Sequence, residues 1–209
     1  MSPSKTCKSL LDSSVTTLCR DFHPSIRTCP SYLKKGDKDS FDLLYEEYYL
    51  SLYRTALLIL GNKEEAEDVL QDTFLSIYKN INNLKEFNKL RPWIFSILKN
   101  SCYTRYKNRK REFPDEFVLE KADSNFISSG EDEFVLNNEV ESALLKLNHK
   151  EREVLVLFYY DDFSIEEIAK ILKTFQGTVK SRLFRARKNL KKEIMKVDQD
   201  FGEKESIYE

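Results

Sequence analysis

The chain has 209 residues, of which 33% are charged and 41% hydrophobic, with only five glycines and five prolines. This composition is typical of a soluble, helix-rich protein of one large or two small domains, and it argues against a fold built on β-strands. The formal net charge of −1 excludes a uniformly basic nucleic-acid-binding chain, so a DNA-binding surface would have to come from segregated charge.

The sequence lacks the patterns that export and metal binding need. No apolar run reaches the roughly 18 residues of a membrane span, and the N-terminus has no apolar signal core. The cysteines form no C-x-x-C pair, and the only histidines are His23 and His149, whereas a zinc site needs closely spaced thiolate or imidazole ligands. We therefore expect a cytoplasmic protein with no membrane insertion, metal, cofactor or catalytic residue.

Three helices are predicted in the N-terminal part of the chain, after a polar extension at residues 1–34 that we expect to be flexible. The first helix carries an apolar pattern from Phe41 and should stop at Gly61-Asn62. The second should extend from Lys63 to Asn80, with acidic residues at its start, where the helix dipole favours them. Pro92 fits the first turn of the third helix, which should continue to about Arg111. These helices define a first domain at residues 35–112.

The third helix combines positive charge with aromatic rings. Arg91 to Arg111 carries seven basic residues and no acidic one, and Trp93, Phe95, Tyr103 and Tyr106 lie among them. Basic side chains bind phosphates, and aromatic rings stack on unpaired bases. Aromatic residues on an amphipathic helix more often pack a core, so we expect Trp93 and Phe95 to be at least partly buried.

An acidic segment separates this domain from a second helical one. Glu112 to Glu139 carries nine acidic residues and a single basic one, and we predict a flexible acidic linker at residues 113–137. The second domain, residues 138–197, is predicted to contain four helices, at Val140 to Leu147, His149 to Tyr160, Ser164 to Lys173 and Gln176 to Met195. Residues 198–209 are expected to form a flexible tail.

The last two of these helices predict a helix-turn-helix. Ser164 and Glu167 have the spacing of a capping box at the start of the first one. The second one lies in a segment, Lys173 to Lys192, with eight basic residues and no acidic one. Its apolar residues share one face, at Val179, Leu183, Ala186 and Leu190. The opposite side carries Thr178, Ser181, Arg182 and Arg185, as in a recognition helix that enters a DNA major groove.

The combination resembles the extracytoplasmic-function group of bacterial sigma factors, which carry only regions 2 and 4 of the sigma-70 family. The resemblance rests on EEAEDVLQDTFLSIYKNI and RPWIFSILKN in the first domain, and on SIEEIAKILK and GTVKSRLFRARKNL in the second. It covers about three-quarters of the chain, roughly Asp39 to Lys192. It implies an all-α fold of two small helical domains, and a factor that binds core RNA polymerase and directs initiation at promoters with −35 and −10 elements.

The resemblance also implies partners and site residues. The partners are the β′ clamp and β flap of core polymerase, promoter DNA and an anti-sigma factor. Core binding is expected from Glu67, Asp68, Gln71, Asp72 and Phe74. Contacts to the −10 element are expected from Asn83, Asn88, Lys89, Arg91, Asn100, Arg105 and Lys107. For the −35 element, Lys180, Ser181, Phe184 and Arg185 are expected to read bases, and Thr178, Arg182 and Lys188 to contact phosphates.

The chain departs from the family pattern in three places. Phe175 stands where Ser or Thr usually caps the recognition helix, so the cap must come from Thr174 or be missing. Lys173 replaces the glycine that is common in the turn. The backbone of this turn must therefore adopt its conformation without a glycine at this position. The third departure is the extension at residues 1–34, which is longer than the family normally carries and is either a regulatory arm or the product of a misassigned start codon.

Other functions explain less of the sequence. A stand-alone helix-turn-helix regulator would account for the second domain, but it leaves Glu67 to Phe74 and the Trp93 helix without a role. A sigma-like anti-activator or phage protein would keep core binding and lose promoter melting. An enzyme is disfavoured because no Ser-His-Asp set, glycine-rich phosphate loop or paired metal ligands occur.

Overall fold

The computed structural model describes Leu33 and residues 36–112 and 138–205. All regular structure in these residues is helical, and they contain no β-strand. The all-α prediction is therefore confirmed. The predicted extension and acidic linker lie, except for Leu33, outside the described residues.

The helices divide into two groups that we call the N-terminal half, residues 36–112, and the C-terminal half, residues 138–205. The N-terminal half contains α1 (Lys38–Leu60), α2 (Lys63–Asn80), short 3₁₀ turns at Ile81–Asn83 and Phe87–Lys89, and α3 (Leu90–Glu112). The C-terminal half contains α4 (Asn138–Leu145), α5 (His149–Leu155), a π-helical turn at Val156–Tyr160, α6 (Ile165–Ile171) and α7 (Gln176–Glu205). None of the described helices is long and apolar enough to cross a membrane.

Local capping explains where the helices of the N-terminal half begin and end. Asp37 accepts a hydrogen bond from the Ser40 amide at 3.0 Å and starts α1 earlier than the apolar pattern alone predicts. Gly61 ends α1 in the left-handed conformation, with φ of 72°. Asn62 then caps α2 by accepting from the Glu65 amide at 2.8 Å. The predicted stop at Gly61-Asn62 and the predicted bounds of α2 are thus confirmed.

The helices of the C-terminal half differ from the prediction mainly at their ends. The helix predicted at His149 to Tyr160 is present, but its last turn is π-helical. The last helix continues past the predicted end at Met195 to Glu205. Gly202 is the first strongly helix-disfavouring residue after Met195, and Lys196 pairs with Glu193 at 2.7 Å, so nothing local stops the helix earlier.

The two halves pack against each other and share one hydrophobic core. Helix α1 contacts α4 and α5, and α3 contacts α6. The approach is closest at Gly61, where a Cβ atom would lie 2.6 Å from the side chain of Leu145. Glycine therefore serves two needs here, because it permits the left-handed turn and leaves room for the opposite half.

Candidate nucleic-acid and protein interfaces

The recognition helix α7 has one buried and one exposed face. Val179, Leu183 and Ala186 are buried, and Leu190 packs partly against the core. This confirms the predicted division of the helix into two faces. The candidate −35 residues lie on the other side, where Thr178 and Arg182 are half-buried and Lys180, Ser181, Phe184, Arg185 and Lys188 are exposed. The ring of Phe184 is 67% exposed, so it is available to a ligand.

The turn before α7 contains a non-glycine residue in the left-handed backbone conformation. The predicted capping box is present, because Ser164 Oγ accepts from the Glu167 amide at 3.2 Å and Glu167 Oε2 accepts from the Ser164 amide at 2.9 Å. Lys173 itself adopts the left-handed conformation, with φ of 49°. At the start of α7 the carbonyl of Phe175 accepts from the amides of Thr178 and Val179.

Replacing Lys173 by glycine should stabilise the C-terminal half. A left-handed backbone costs a non-glycine residue about 1–2 kcal/mol, which outweighs the roughly 0.5–1 kcal/mol that glycine loses in unfolded-state entropy. Lys170→Gly, at an exposed position in the last turn of α6, should instead destabilise by up to about 1 kcal/mol. Urea unfolding of both variants would show whether each substitution raises or lowers the free energy of unfolding. Equal destabilisation at both positions would contradict the strain at Lys173.

Five of the seven candidate −10 residues are exposed, and Arg91 and Arg105 are half-buried. Asn83, Asn88 and Lys89 lie in or beside the 3₁₀ turns, and Asn100 and Lys107 lie on α3. Arg105 has ion-pair partners on α2, with Nε 3.4 Å from Glu65 and Nη2 3.2 Å from Asp68. The seventh candidate, Arg91, faces the C-terminal half.

Arg91 and its neighbours on α3 make a contact that the sequence did not predict. The Arg91 guanidinium donates to the carbonyl of Asp161 and lies 4.2 Å from the ring centroid of Phe163. Phe163 also meets Phe95 edge to face, with centroids 4.8 Å apart. Phe95 is 1% exposed, so the prediction that it belongs to the core is confirmed.

The far end of α3 also meets the C-terminal half. The rings of Tyr106 and His149 stack with centroids 4.2 Å apart and planes 13° apart. His149 is buried, and its Nε2 lies 3.2 Å from Glu153 Oε1, which is buried as well. Both ends of the aromatic face of α3 are therefore covered by the opposite half.

Asp161 is a buried carboxylic acid between the halves. The Thr55 hydroxyl on α1 lies 2.9 Å from its Oδ1 and also donates to the Ser51 carbonyl at 2.9 Å. Burial raises the pKa of Asp161 to about 7, although the Thr55 hydrogen bond and the nearby Arg91 charge favour the ionised form. Because a hydroxyl has one proton, protonated Asp161 can donate to Thr55 while Thr55 donates to Ser51.

Arg152 is a second buried charge that the sequence analysis missed. Its Nη1 donates to the Ile59 carbonyl at 2.8 Å, across the interface. Within its own half it donates to the carbonyls of Leu144 at 3.2 Å, Leu147 at 2.9 Å and Leu145. One guanidinium thus satisfies carbonyls at the C-terminal ends of both α1 and α4, where the helix dipole attracts positive charge.

The candidate core-binding residues do not all lie on one open face. Glu67, Gln71 and Asp72 are exposed on α2, whereas Asp68 pairs with Arg105. Phe74 is only 6% exposed, and its ring centroid lies 4.5 Å from that of Tyr45.

Glu67 and Gln71 border an open groove between α1 and α2 that the sequence analysis also missed. It encloses about 540 Å³, and we call it the aromatic groove. Its lining is formed by Phe41, Tyr45, Tyr49, Glu67, Leu70, Gln71, Phe74, Leu75 and Tyr78. Tyr45, Leu75 and Tyr78 are each more than 40% exposed, an unusual share for large apolar side chains on one patch.

Comparisons with known proteins match both halves to the same family. Residues 44–112 match the family model of sigma-70 region 2, and residues 137–190 match that of sigma-70 region 4. The ECF RNA polymerase sigma factor SigW of Bacillus subtilis is 33% identical over 78% of this chain and 92% of its own length. EcfG of Rhodopseudomonas palustris, another ECF sigma factor, is 33% identical over 75% of this chain and 87% of its own length.

Solved structures resemble the whole described fold. The sigma factor RpoE of Bartonella quintana, solved with the anti-sigma factor NepR, aligns with a TM-score of 0.62 and 28% identity, covering 77% of this chain and 99% of RpoE. CnrH, solved with the cytosolic domain of CnrY, aligns with a TM-score of 0.59 and 23% identity over 82% of this chain and 96% of CnrH. The alignment with RpoE is long enough to span both halves.

Proposed function

The chain belongs to the extracytoplasmic-function sigma factors, which bind core RNA polymerase and direct promoter-specific transcription initiation, and we propose how its surfaces divide that work. Sigma factors are not enzymes, so each surface acts by binding. In this proposal residues 35–112 act as region 2 and residues 138–197 as region 4. The observation that carries it is the placement of an exposed basic face on α7 and an exposed acidic and aromatic surface on α2 within one fold.

The aromatic groove and the carboxylates of α2 form the proposed docking surface for the polymerase β′ clamp. Exposed aromatic and aliphatic side chains such as Tyr45, Leu75 and Tyr78 supply anchors of the kind that dominate protein interfaces. Glu67 and Asp72 supply charges that favour a basic partner. Phe74 supports this surface from below, as part of the groove wall, instead of projecting into the partner.

DNA contacts are assigned to the exposed candidates on both halves. On α7, Lys180, Ser181, Phe184 and Arg185 read −35 bases, while Thr178, Arg182 and Lys188 hold phosphates. The −10 strand lies along the 3₁₀ turns and α3, where Asn83, Asn88, Lys89, Asn100 and Lys107 are exposed. Arg91 and Arg105 join this site once their protein partners are released. The β flap of the polymerase, a cytoplasmic location and an anti-sigma factor, as found with the relative RpoE, complete the proposal.

Arg185→Ala and Lys188→Ala should separate base reading from phosphate binding. If Arg185 contacts a base edge, its loss should remove about 1–3 kcal/mol of discrimination at one −35 position. Loss of the phosphate contact of Lys188 should weaken binding to all promoter sequences equally. It should also reduce the slope of log affinity against log salt concentration by about one. The measurement is promoter binding by the polymerase holoenzyme on a panel of −35 variants at several salt concentrations. Identical behaviour of the two variants would refute the assigned roles.

Run-off transcription with core polymerase on a genomic DNA library tests the function itself. Discrete transcripts should require both the chain and core polymerase, and their start sites would reveal the promoter consensus. Specific promoter binding by the chain without polymerase would instead support the stand-alone regulator.

A further inference from the structure

We propose that residues 9–22 of the N-terminal extension dock as an amphipathic helix in the aromatic groove, so that the chain competes with its own polymerase partner for this surface. The competition rests on the proposed function, which places the β′ clamp on the same groove. The occupant is a named segment of this chain, and it lies outside the described residues.

The aromatic groove presents a row of rings that suits an apolar helix face. The Phe41 ring meets those of Tyr78 and Phe74, with centroids 5.3 and 6.4 Å away. Tyr45 continues the row, with centroids 4.5 Å from Phe74 and 5.2 Å from Tyr49. The described residues leave Tyr45 42% and Tyr78 54% exposed. A groove of this kind accepts a helix whose anchors recur at three- and four-residue spacings.

The extension contains a segment with this spacing. Four apolar residues follow one another at intervals of four, three and four residues and so fall on one side of an α-helix, namely Leu11, Val15, Leu18 and Phe22. The opposite side carries only polar residues, which are Ser13, Thr16, Thr17 and Arg20. The pattern therefore predicts a helix with one apolar stripe.

Local signals bound the predicted helix at both ends. Ser9 and Asp12 have the spacing of a capping box at its start. Pro24 disfavours the helical conformation at His23 and so ends it. A helix of about 14 residues is only marginally stable alone in water, so burial of its apolar stripe in the groove would supply the stability that it lacks.

The chain is long enough to bring this segment to the groove. Leu33 is 2% exposed and packs in the core, and Phe41 lines the groove eight residues later. Along the chain these two residues can be at most ~20 Å apart, whereas residues 23–32 can span ~33 Å. The helix from Leu11 to Phe22 would be about 17 Å long, which matches the stretch of α2 that lines the groove, from Glu67 to Tyr78.

Charge favours the same occupant. The two stretches that line the groove, residues 41–49 and 67–78, carry six acidic residues and no basic one. Residues 1–32 carry four basic residues and two acidic ones. A second copy of the chain that presented the same surface would bring acidic residues against acidic residues, and like charges oppose such a pairing.

The tether makes weak docking sufficient for competition. A segment joined to its site by a short linker has an effective concentration in the millimolar range. An intrinsic Kd of ~0.3 mM would then fill about three-quarters of the grooves and weaken polymerase binding about fourfold. Because the extension and the polymerase clamp need the same rings, they cannot bind at the same time.

Two double variants of the full chain test the competition. Val15→Asp with Leu18→Asp places two carboxylates on the apolar side of the predicted helix. Thr16→Asp with Thr17→Asp is the matched control, since it adds the same charge on the polar side. In titrations with core polymerase, we expect the Val15/Leu18 variant to bind at least about threefold more tightly than the control, which should bind like the wild type.

A photo-cross-linker locates the segment in the absence of polymerase. p-Benzoylphenylalanine in place of Tyr78 should, after irradiation and mass spectrometry, give a cross-link to residues 9–22 of the same chain. The cross-link should be lost in the Val15/Leu18 variant and kept in the Thr16/Thr17 control. The same probe in place of Tyr159, which is 57% exposed and does not line the groove, should give no cross-link to this segment.

Failure of the inference and failure of the proposed function give different results. Absence of the cross-link from position 78 would overturn the inference, and a cross-link formed only between two chains would do so by making a second copy the occupant. The proposed docking surface would still stand if Gln71→Ala with Leu75→Ala lost polymerase binding. The expected cross-links with equal polymerase affinity of both double variants would overturn the competition and place the β′ clamp on another surface.

Discussion

Gln71→Ala combined with Leu75→Ala should abolish core polymerase binding and leave the thermal unfolding temperature nearly unchanged. Both side chains line the aromatic groove and are exposed, Leu75 to 56%. Surface substitutions of this kind typically change stability by less than about 0.5 kcal/mol. Truncating an interface hot spot costs about 2 kcal/mol or more, so losing two should weaken the complex by well over about thirtyfold. The measurement is a binding titration of labelled chain with core polymerase before DNA is added.

Lys79→Ala provides the control for the docking prediction, because Lys79 is also exposed on α2 but does not line the groove. This variant should bind core polymerase like the wild type. Normal binding and initiation by the Gln71/Leu75 double variant would exclude the groove as the docking surface. A loss of folding in that variant would contradict the exposure of both side chains.

Arg152→Met should remove about 3 kcal/mol or more of the free energy of unfolding. The substitution leaves four carbonyls without their charged donor in a buried place, and hydrogen bonds to charged groups contribute about 1.5–3 kcal/mol each. Arg152→Lys should rescue only part of the loss, since an ammonium cannot reproduce the planar fork that reaches α1 and α4 together. Urea unfolding monitored by circular dichroism measures both variants.

Arg187→Met is the matched control for this second prediction. Arg187 is exposed, and its Nε donates only to the Leu183 carbonyl of its own helix at 3.3 Å. Its loss should change stability by less than about 0.5 kcal/mol. A similar small effect at Arg152 would mean that the guanidinium does not hold the ends of the two helices.

Local signals were sufficient to predict the helices and the recognition face. The Gly61-Asn62 pair marked the end of α1, and the Ser164 capping box marked the start of α6, because both act within a few residues of chain. The spacing of Val179, Leu183 and Ala186 identified the buried side of α7 for the same reason, and so the exposed −35 candidates followed. Motif resemblance then supplied their roles.

The contacts between the halves could not be predicted from local sequence patterns, because they join residues far apart in the chain. The role of Arg152 could not be predicted, because its partner Ile59 is 93 residues away and offers only a carbonyl. Arg91 matched a DNA-contact motif, but no local pattern indicated that it would contact Asp161. The aromatic groove was not predicted, because the apolar pattern of α1 does not indicate that this helix carries more aromatic surface than its neighbours cover.

Two of the arginine bonds between the halves, those of Arg152 and Arg91, end on main-chain oxygens, those of Ile59 and Asp161. Every residue type has a main-chain carbonyl. The side chains at these acceptor positions can therefore vary among relatives while the arginines keep their hydrogen-bond partners. Covariation between alignment columns reports coupled side chains, and these bonds would leave no such trace. These two bonds would therefore be found by mutating the arginine donors, and they would be missed by a search for compensating pairs of side chains.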